Sequence, residues 1–299
     1  MDAESLRTFL AIHQSGGFSS GAERLARSQP AISRRIALLE EELGAPLFER
    51  ATGGVVLSQA GRVLLPHAQR VLAALEDCKA AIDALRSGTA GPVSLAAVGT
   101  LAGANLTPIL KRFSSSYPAV ELMLRTATSA EVSELVRSGE VTIGLRYHRD
   151  RSADLDCNDI AGERVKIICA PDHPLAGMTV RSLRKLAGER WLAFPNAHRL
   201  PETSPDNLFA QFQVLCISEL HWTPVDSLTA QKRLVEAGYG LAVLPESAIK
   251  DELAAKSLAA IGVTGLQLAN PVCVVTRRNA YLSPAAIALI ALLRESQDD

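Results

Sequence analysis

The chain has 299 residues, 47% of them hydrophobic, and a formal net charge of −1, with a mean hydropathy of +0.13 and an isoelectric point near 6.6. That length and apolar content supply core for two or three compact units, while the near-neutral charge excludes a general nucleic-acid coat, whose cations are spread widely. No apolar run reaches membrane-spanning length, and the acidic, amphipathic start MDAESLRTFL is unlike a signal peptide, so a cytoplasmic protein is expected.

Residues 17–61 predict a helix, a tight turn, a second helix and a wing. Ser20 and Glu23 have capping-box spacing, which starts the first of these helices near Ser20. Ser28 is placed to cap the next, with Gln29 and Pro30 in a first turn where proline costs nothing. This second helix is expected from about Gln29 to Leu43. Ile32, Ile36, Leu39 and Leu43 recur on one buried stripe, leaving Pro30, Ser33, Arg34 and Ala37 on the opposite face. Such a face suits a major groove, because Gln bonds bidentately to adenine, Arg to guanine and Ser to either. Gln29, Ser33 and Arg34 are the candidate base readers. Arg24, Arg27, Arg35 and Arg50 fall nearer the phosphates, where they add affinity and salt dependence without sequence information.

The run SQPAISRRIALLEEELGAPLFER, followed by LSQAG, resembles the winged helix-turn-helix of LysR-type transcriptional regulators, from about Leu6 to Leu85 without a gap. The resemblance implies sequence-specific binding to double-stranded promoter DNA. Carried over by position, its contacts fall on Ser28, Gln29, Pro30, Ser33 and Arg34, with Arg50 at the wing. Two departures stand out. Gly21 replaces the usual alanine and is expected to weaken its helix, and the wing tip Ala51-Thr52-Gly53-Gly54 lacks a basic residue, which predicts a looser hold on phosphate.

Beyond the wing, Leu64, Ala68, Val71, Leu75, Cys78, Ile82 and Leu85 alternate steps of four and three, a heptad seam that predicts a long helix paired with a second copy. Two recognition helices held at a fixed separation would read half-sites with dyad symmetry. The helix is expected to end at Arg86–Pro92, whose small residues, glycines and proline form a hinge.

From Val93 onward short apolar strands alternate with helices, as in parallel βαβ units. VSLAAV, VELMLRT and VTIGLRY make one set; VKIICA, WLAF, ELHWT and GLAVLP make a second; LQLANPVCVVTRR and a closing helix from Pro284 return to the first. The order predicts an α/β protein with two lobes joined by crossovers near Asp159–Glu163 and Val263–Leu268. The expected division is 1–58 for the winged helix-turn-helix, 59–87 for the dimerisation helix, 88–92 for the hinge and 93–299 for the two-lobed domain, with lobe I at 93–160 and 268–299 and lobe II at 163–264.

Ligands in such sheets sit at the carboxyl ends of strands, here Gly99-Thr100, Thr128-Ser129, Arg146-Tyr147, Phe194–Arg199 and Asp226–Thr229. The DHPL turn and GYGLAVLPES resemble landmarks of the effector-binding domain of the same family, itself similar to type II periplasmic binding proteins. That resemblance places effector contacts on Thr100, Ser129, Arg146 and the Pro195-Asn196 region, with Thr128 beside them. Hydroxyls and an arginine suit a small anion.

Cys78, Cys157, Cys169, Cys216 and Cys273 are scattered, odd in number and without a C-x-x-C pair, so they read as reduced core residues. No histidine has ligand spacing, and neither a metal nor a cofactor is expected. The expectation is a DNA-binding regulator, dimeric or tetrameric, controlled by a small effector. The alternatives are a redox-responsive regulator using C-terminal cysteines, or a DNA-binding domain fused to an enzyme. The latter would need a motif such as G-x-S-x-G, G-x-x-x-x-G-K or H-E-x-x-H, none of which occurs.

Overall fold

The computed structural model describes residues 1–51, 54–87, 91–103, 105–195, 221–266 and 269–295, with backbone alone at 50–51 and 83–87. Helix α1, Ala3–Ser15, is capped by Asp2, whose carboxylate accepts from the Ser5 N–H at 2.7 Å. Helix α2 spans Phe18–Arg24 and so begins before the expected Ser20, with Gly17 at its N-cap. Ser20 already lies in the first turn, and its hydroxyl donates backwards to the carbonyls of Ser15 at 2.9 Å and Gly17 at 3.2 Å. A Cβ on Gly21 would stand 3.1 Å from the Ile12 backbone. The glycine therefore lets α1 and α2 cross at backbone distance rather than merely weakening its helix.

Helix α3, Gln29–Leu43, has the expected bounds and ends at Gly44 with φ +69°. Ile32, Ile36 and Leu39 pack with Leu6, Phe9 and Ile12. Leu43 departs from the predicted stripe and is 42% exposed, because α3 has run past the edge of this small core by its last turn. Ser28 holds the N-cap position in extended backbone but makes no capping bond with its side chain. Strands β1, Phe48–Ala51, and β2, Gly54–Leu57, form the antiparallel wing; Thr52 and Gly53 of its tip lie outside the described residues.

Helix α4, Gln59–Ser87, is 29 residues long, about 43 Å. Its first turns correct the seam. Ala68 is fully buried and Leu64 packs beside it in the core of the N-terminal unit, because α4 lies against α1. Val71, Leu75, Cys78 and Ile82 remain exposed, and the Leu85 side chain lies outside what is described.

The rest of the chain proceeds through β3 (Val93–Val98), α5 (Leu106–Ser116), β4 (Leu122–Ala127), α6 (Ser129–Arg137), β5 (Ile143–Tyr147) and β6 (Leu155–Cys169). Next come β7 (Thr179–Val180), β8 (Arg190–Ala193), β9 (His221–Pro224), α7 (Leu228–Glu236), β10 (Leu241–Pro245), α8 (Lys250–Ala254) and β11 (Ala259–Val263), and finally β12 (Ala269–Arg277) and α9 (Pro284–Glu295). The strands β3, β4 and β5 are parallel, as the alternation predicts. Strand β12 then inserts antiparallel between β5 and β6. The expected crossover at Asp159–Glu163 is not a loop: β6 is one strand of 15 residues whose first part pairs with β12 and whose last part pairs with β10 and β11. One lobe buries Leu95, Phe113, Ile143, Val274 and Leu289, and the other buries Ile167, Leu186, Trp191 and Ile261. Residues 267–268, in the second expected crossover, lie outside the described residues.

Candidate functional site

The candidate residues fall on two surfaces, the first at the start of α3. Gln29, Pro30 and Arg34 are exposed there and Ser33 is half-buried. Gln29 Nε2 donates to Ser33 Oγ at 3.0 Å, so the two polar groups are presented together. Arg24 and Arg27 are exposed on the flank. Arg35 is half-buried and reaches towards the start of α1, where the Ser5 N–H and hydroxyl, with a smaller contribution from Arg35, hold the Asp2 carboxyl below its usual range. Arg50 stands on β1 opposite Val55, its side chain outside the described residues.

The second surface lies where β3, β4 and β5 end side by side. Thr100 follows β3, is 6% exposed, and its Oγ1 is 2.8 Å from the Tyr147 hydroxyl. That hydroxyl donates to the Glu163 carboxylate on β6, and Ser247 Oγ donates to the other Glu163 oxygen at 2.7 Å. A polar chain thus runs from lobe I through the shared strand to lobe II. Burial pushes the Glu163 carboxyl above its ordinary range, against the bonds from Tyr147 and Ser247. Burial, with the neighbouring carboxylate, also raises the Tyr147 phenol well above its usual value.

Arg146 does not join this chain. Side chains alternate along a strand, so Arg146 and Tyr147 project from opposite faces of β5. Arg146 Nη1 donates instead to Ser133 Oγ at 2.8 Å and Asp150 Oδ2 at 2.9 Å, beside Arg137, which bonds Asp154 at 2.8 Å and Ser152 at 2.9 Å. Burial opposes ionisation of Asp150, yet the Ser152 hydroxyl and N–H, Ser133 and Arg146 together bring its carboxyl down to about 2. Thr128 caps α6: its hydroxyl accepts from the Glu131 N–H at 3.3 Å while its own N–H donates to the Glu131 carboxylate at 2.8 Å. Ser129 follows it, half-buried in the first helical turn. Asn196 lies outside the described residues. Glu163 and Ser247 escaped sequence reasoning because they join the site from a crossover strand and from lobe II; Tyr147 was within reach through simple alternation along β5.

A separate cavity of about 770 Å³ lies between β6, β12 and α9, bordered by Arg149, Cys157, Arg278, Ile287 and Arg294. It borders the loop that follows β5, since Asp150, the partner of Arg146, also lines it, while Thr100, Tyr147 and Glu163 do not. Burial raises the described C-terminal thiols, Cys169 to about 11 and Cys273 to about 12, and Cys157 by less. Cys216 lies outside the described residues. Among the described residues no helix is long and apolar enough to cross a membrane, and no group of three His, Cys, Asp or Glu could hold a metal.

Residues 3–62 match the family pattern described as "Bacterial regulatory helix-turn-helix protein, lysR family", and residues 86–298 match "LysR substrate binding domain". The chain belongs to the LysR family of transcriptional regulators. This regulator is 28% identical over 274 residues to CitR of Bacillus subtilis (strain 168), covering 90% of each chain. It is likewise 28% identical over 293 residues to CbbR of Rhodospirillum rubrum, covering 97% of this chain and 94% of CbbR. The crystal structure of CbnR, a LysR family transcriptional regulator, aligns over 100% of both chains with a TM-score of 0.68 and 25% identity. Full-length CbnR complexed with its target DNA aligns over 99% of this chain and 100% of CbnR, with a TM-score of 0.66 and 25% identity.

Proposed function

We propose that this LysR-family regulator binds promoter DNA as a dimer or a tetramer, reading bases with Gln29, Ser33 and Arg34, setting Pro30 against a thymine methyl, and gripping phosphates with Ser28, Arg35 and Arg50. A small molecule held at the ends of β3, β4 and β5, against Thr100, Thr128, Ser129 and Tyr147, then alters how paired DNA-binding units engage two half-sites. The family resemblance adds Asn196, which lies outside the described residues, as a further candidate contact. The regulator acts in the cytoplasm, with the units divided at 58, 87 and 92.

The observation that carries the reading is the division of labour along α4. Its first turns bury Ala68 and pack half-buried Leu64 in the DNA-binding unit, and its later turns leave Val71, Leu75 and Ile82 exposed at 46%, 40% and 50%. An apolar stripe at heptad spacing is stable in water when a second copy covers it, and that pairing holds two α3 helices at a fixed separation. The raised thiols of Cys157, Cys169 and Cys273 favour effector control over redox control, because a protonated buried thiol is a poor nucleophile.

The reading is tested by selecting duplexes from a random pool with the full-length protein and weighing the complexes. A dyad-symmetric consensus bound by an even number of subunits is expected. An asymmetric consensus bound by one subunit would overturn it.

A further inference from the structure

We propose that lobe I docks onto α4 through an Asp77–Arg277 latch, and that this latch carries the state of the effector cleft to the DNA-binding unit. The proposal rests on the reading of α4 as the element joining the two functions. Arg277, the last residue of β12, grips Asp77 of α4 with both terminal nitrogens, Nη1 to Oδ2 at 3.0 Å and Nη2 to Oδ1 at 2.9 Å. The side chains are only 14% and 23% exposed. Arg277 Nε is buried and has no hydrogen-bond partner among the described residues, so the guanidinium leans on Asp77 for its counter-charge. Removing one partner of such a pair strands the other charge away from water.

One helical turn before Asp77, Ala73 is 4% exposed. It meets Gly139, whose φ is +77° and whose added Cβ would stand 2.7 Å from the Ala73 Cβ. Helix and lobe therefore approach at backbone distance beside the ion pair. Ala73 and Asp77 share one face of α4, because residues four apart stack above each other. At about 100° per residue, that face is turned roughly 150° from the stripe of Val71, Leu75, Cys78 and Ile82. A helix can thus pair with a second copy on one side and hold lobe I on the other, and the latch sets the lobe's angle to the dimer axis.

The same two elements reach from the latch to the cleft. Strand β12 pairs Val272 with Tyr147 near the cleft and ends at Arg277. Helix α6 begins at Ser129 beside the cleft, and its last residue, Arg137, stands two residues before Gly139. A shift of either element as the cleft fills moves Gly139 or Arg277 against α4. A contact built from one ion pair and one alanine-on-glycine approach is small enough to open without unfolding either unit.

The test uses full-length protein with Asp77→Asn, Arg277→Gln and the charge-swapped double variant Asp77→Arg/Arg277→Asp, examined by small-angle scattering, amide hydrogen exchange and footprinting on the selected duplex. Each single variant is expected to enlarge the radius of gyration, to raise exchange at residues 138–142 by about tenfold, and to change the footprint length. The swap is expected to return all three towards wild type. Folded single variants with wild-type exchange and footprint would overturn the proposal, as would a swap that behaves as the sum of the singles. If the wild type selects no duplex, the DNA reading fails instead, and scattering and exchange still decide whether the latch exists.

Discussion

Arg146 and Tyr147 are neighbours on β5 that serve different structures: the arginine binds Ser133 and Asp150 on the α6 side, while the tyrosine joins Thr100 to Glu163 at the strand ends. Consecutive residues of one strand thus divide scaffold from candidate site.

Their substitutions should separate accordingly. Tyr147→Phe removes one hydroxyl and should cost about 1 kcal/mol of stability while sharply reducing the thermal shift given by any stabilising metabolite. Arg146→Ala removes the nearer of the two arginines at Asp150, leaving Arg137 at 3.8 Å, and should cost about 2 kcal/mol in urea unfolding. The reverse pattern would move the ligand to the α6 side of the sheet.

On DNA, Gln29→Ala or Arg34→Ala should lose about 1–3 kcal/mol of specific binding and relax the preference at particular base pairs. Arg50→Ala should weaken all duplexes alike and lower the salt slope by about one. Competition between selected and random duplexes at several salt concentrations distinguishes the two behaviours.

Leu75→Glu places two like carboxylates in the proposed seam of α4, where neither has a counter-charge. Sedimentation should show the dimer dissociating at concentrations where the wild type stays paired. Ala68→Glu should instead unfold the DNA-binding unit, since Ala68 is fully buried there.

Acid should weaken lobe I through Asp150. Its carboxyl titrates at about 2 in the fold, below the ordinary 3.8. The ionised form therefore stabilises fully above about pH 4, and that contribution fades as pH falls towards 2. Melting temperatures measured from about pH 5 downward should decline less steeply in Asp150→Asn than in wild type.

The helix-turn-helix was legible because local rules decide it: the Ile32, Ile36 and Leu39 stripe, the proline after Ser28 and the glycine after Leu43 act within a few residues. Capping by Ser20 was misjudged because Gly17 opens the helix a turn earlier. The seam was over-extended because Leu64 and Ala68 fit a heptad equally well whether a second copy or their own α1 covers them. At the candidate site, strand ends could be found from alternation of elements, but Glu163 and Ser247 converge on Tyr147 only through the antiparallel insertion of β12 and the unbroken run of β6. Those pairings join residues far apart in sequence, and periodicity does not register them.

The placement of β12 also dictates an order of assembly. Lobe I has β5 beside β12 and α9 packed on its core, yet both of these emerge from the ribosome after the whole of lobe II. The early strands β3, β4 and β5 must wait, with an apolar face and an unsatisfied sheet edge, for the final stretch of chain. Lobe II, by contrast, lies in one continuous stretch and needs only the far half of β6. A chain truncated before Ala269 and released should therefore yield a native-like lobe II and a DNA-binding unit separated by a collapsed, protease-sensitive middle, which makes the last thirty or so residues the step that commits the whole chain to its native state.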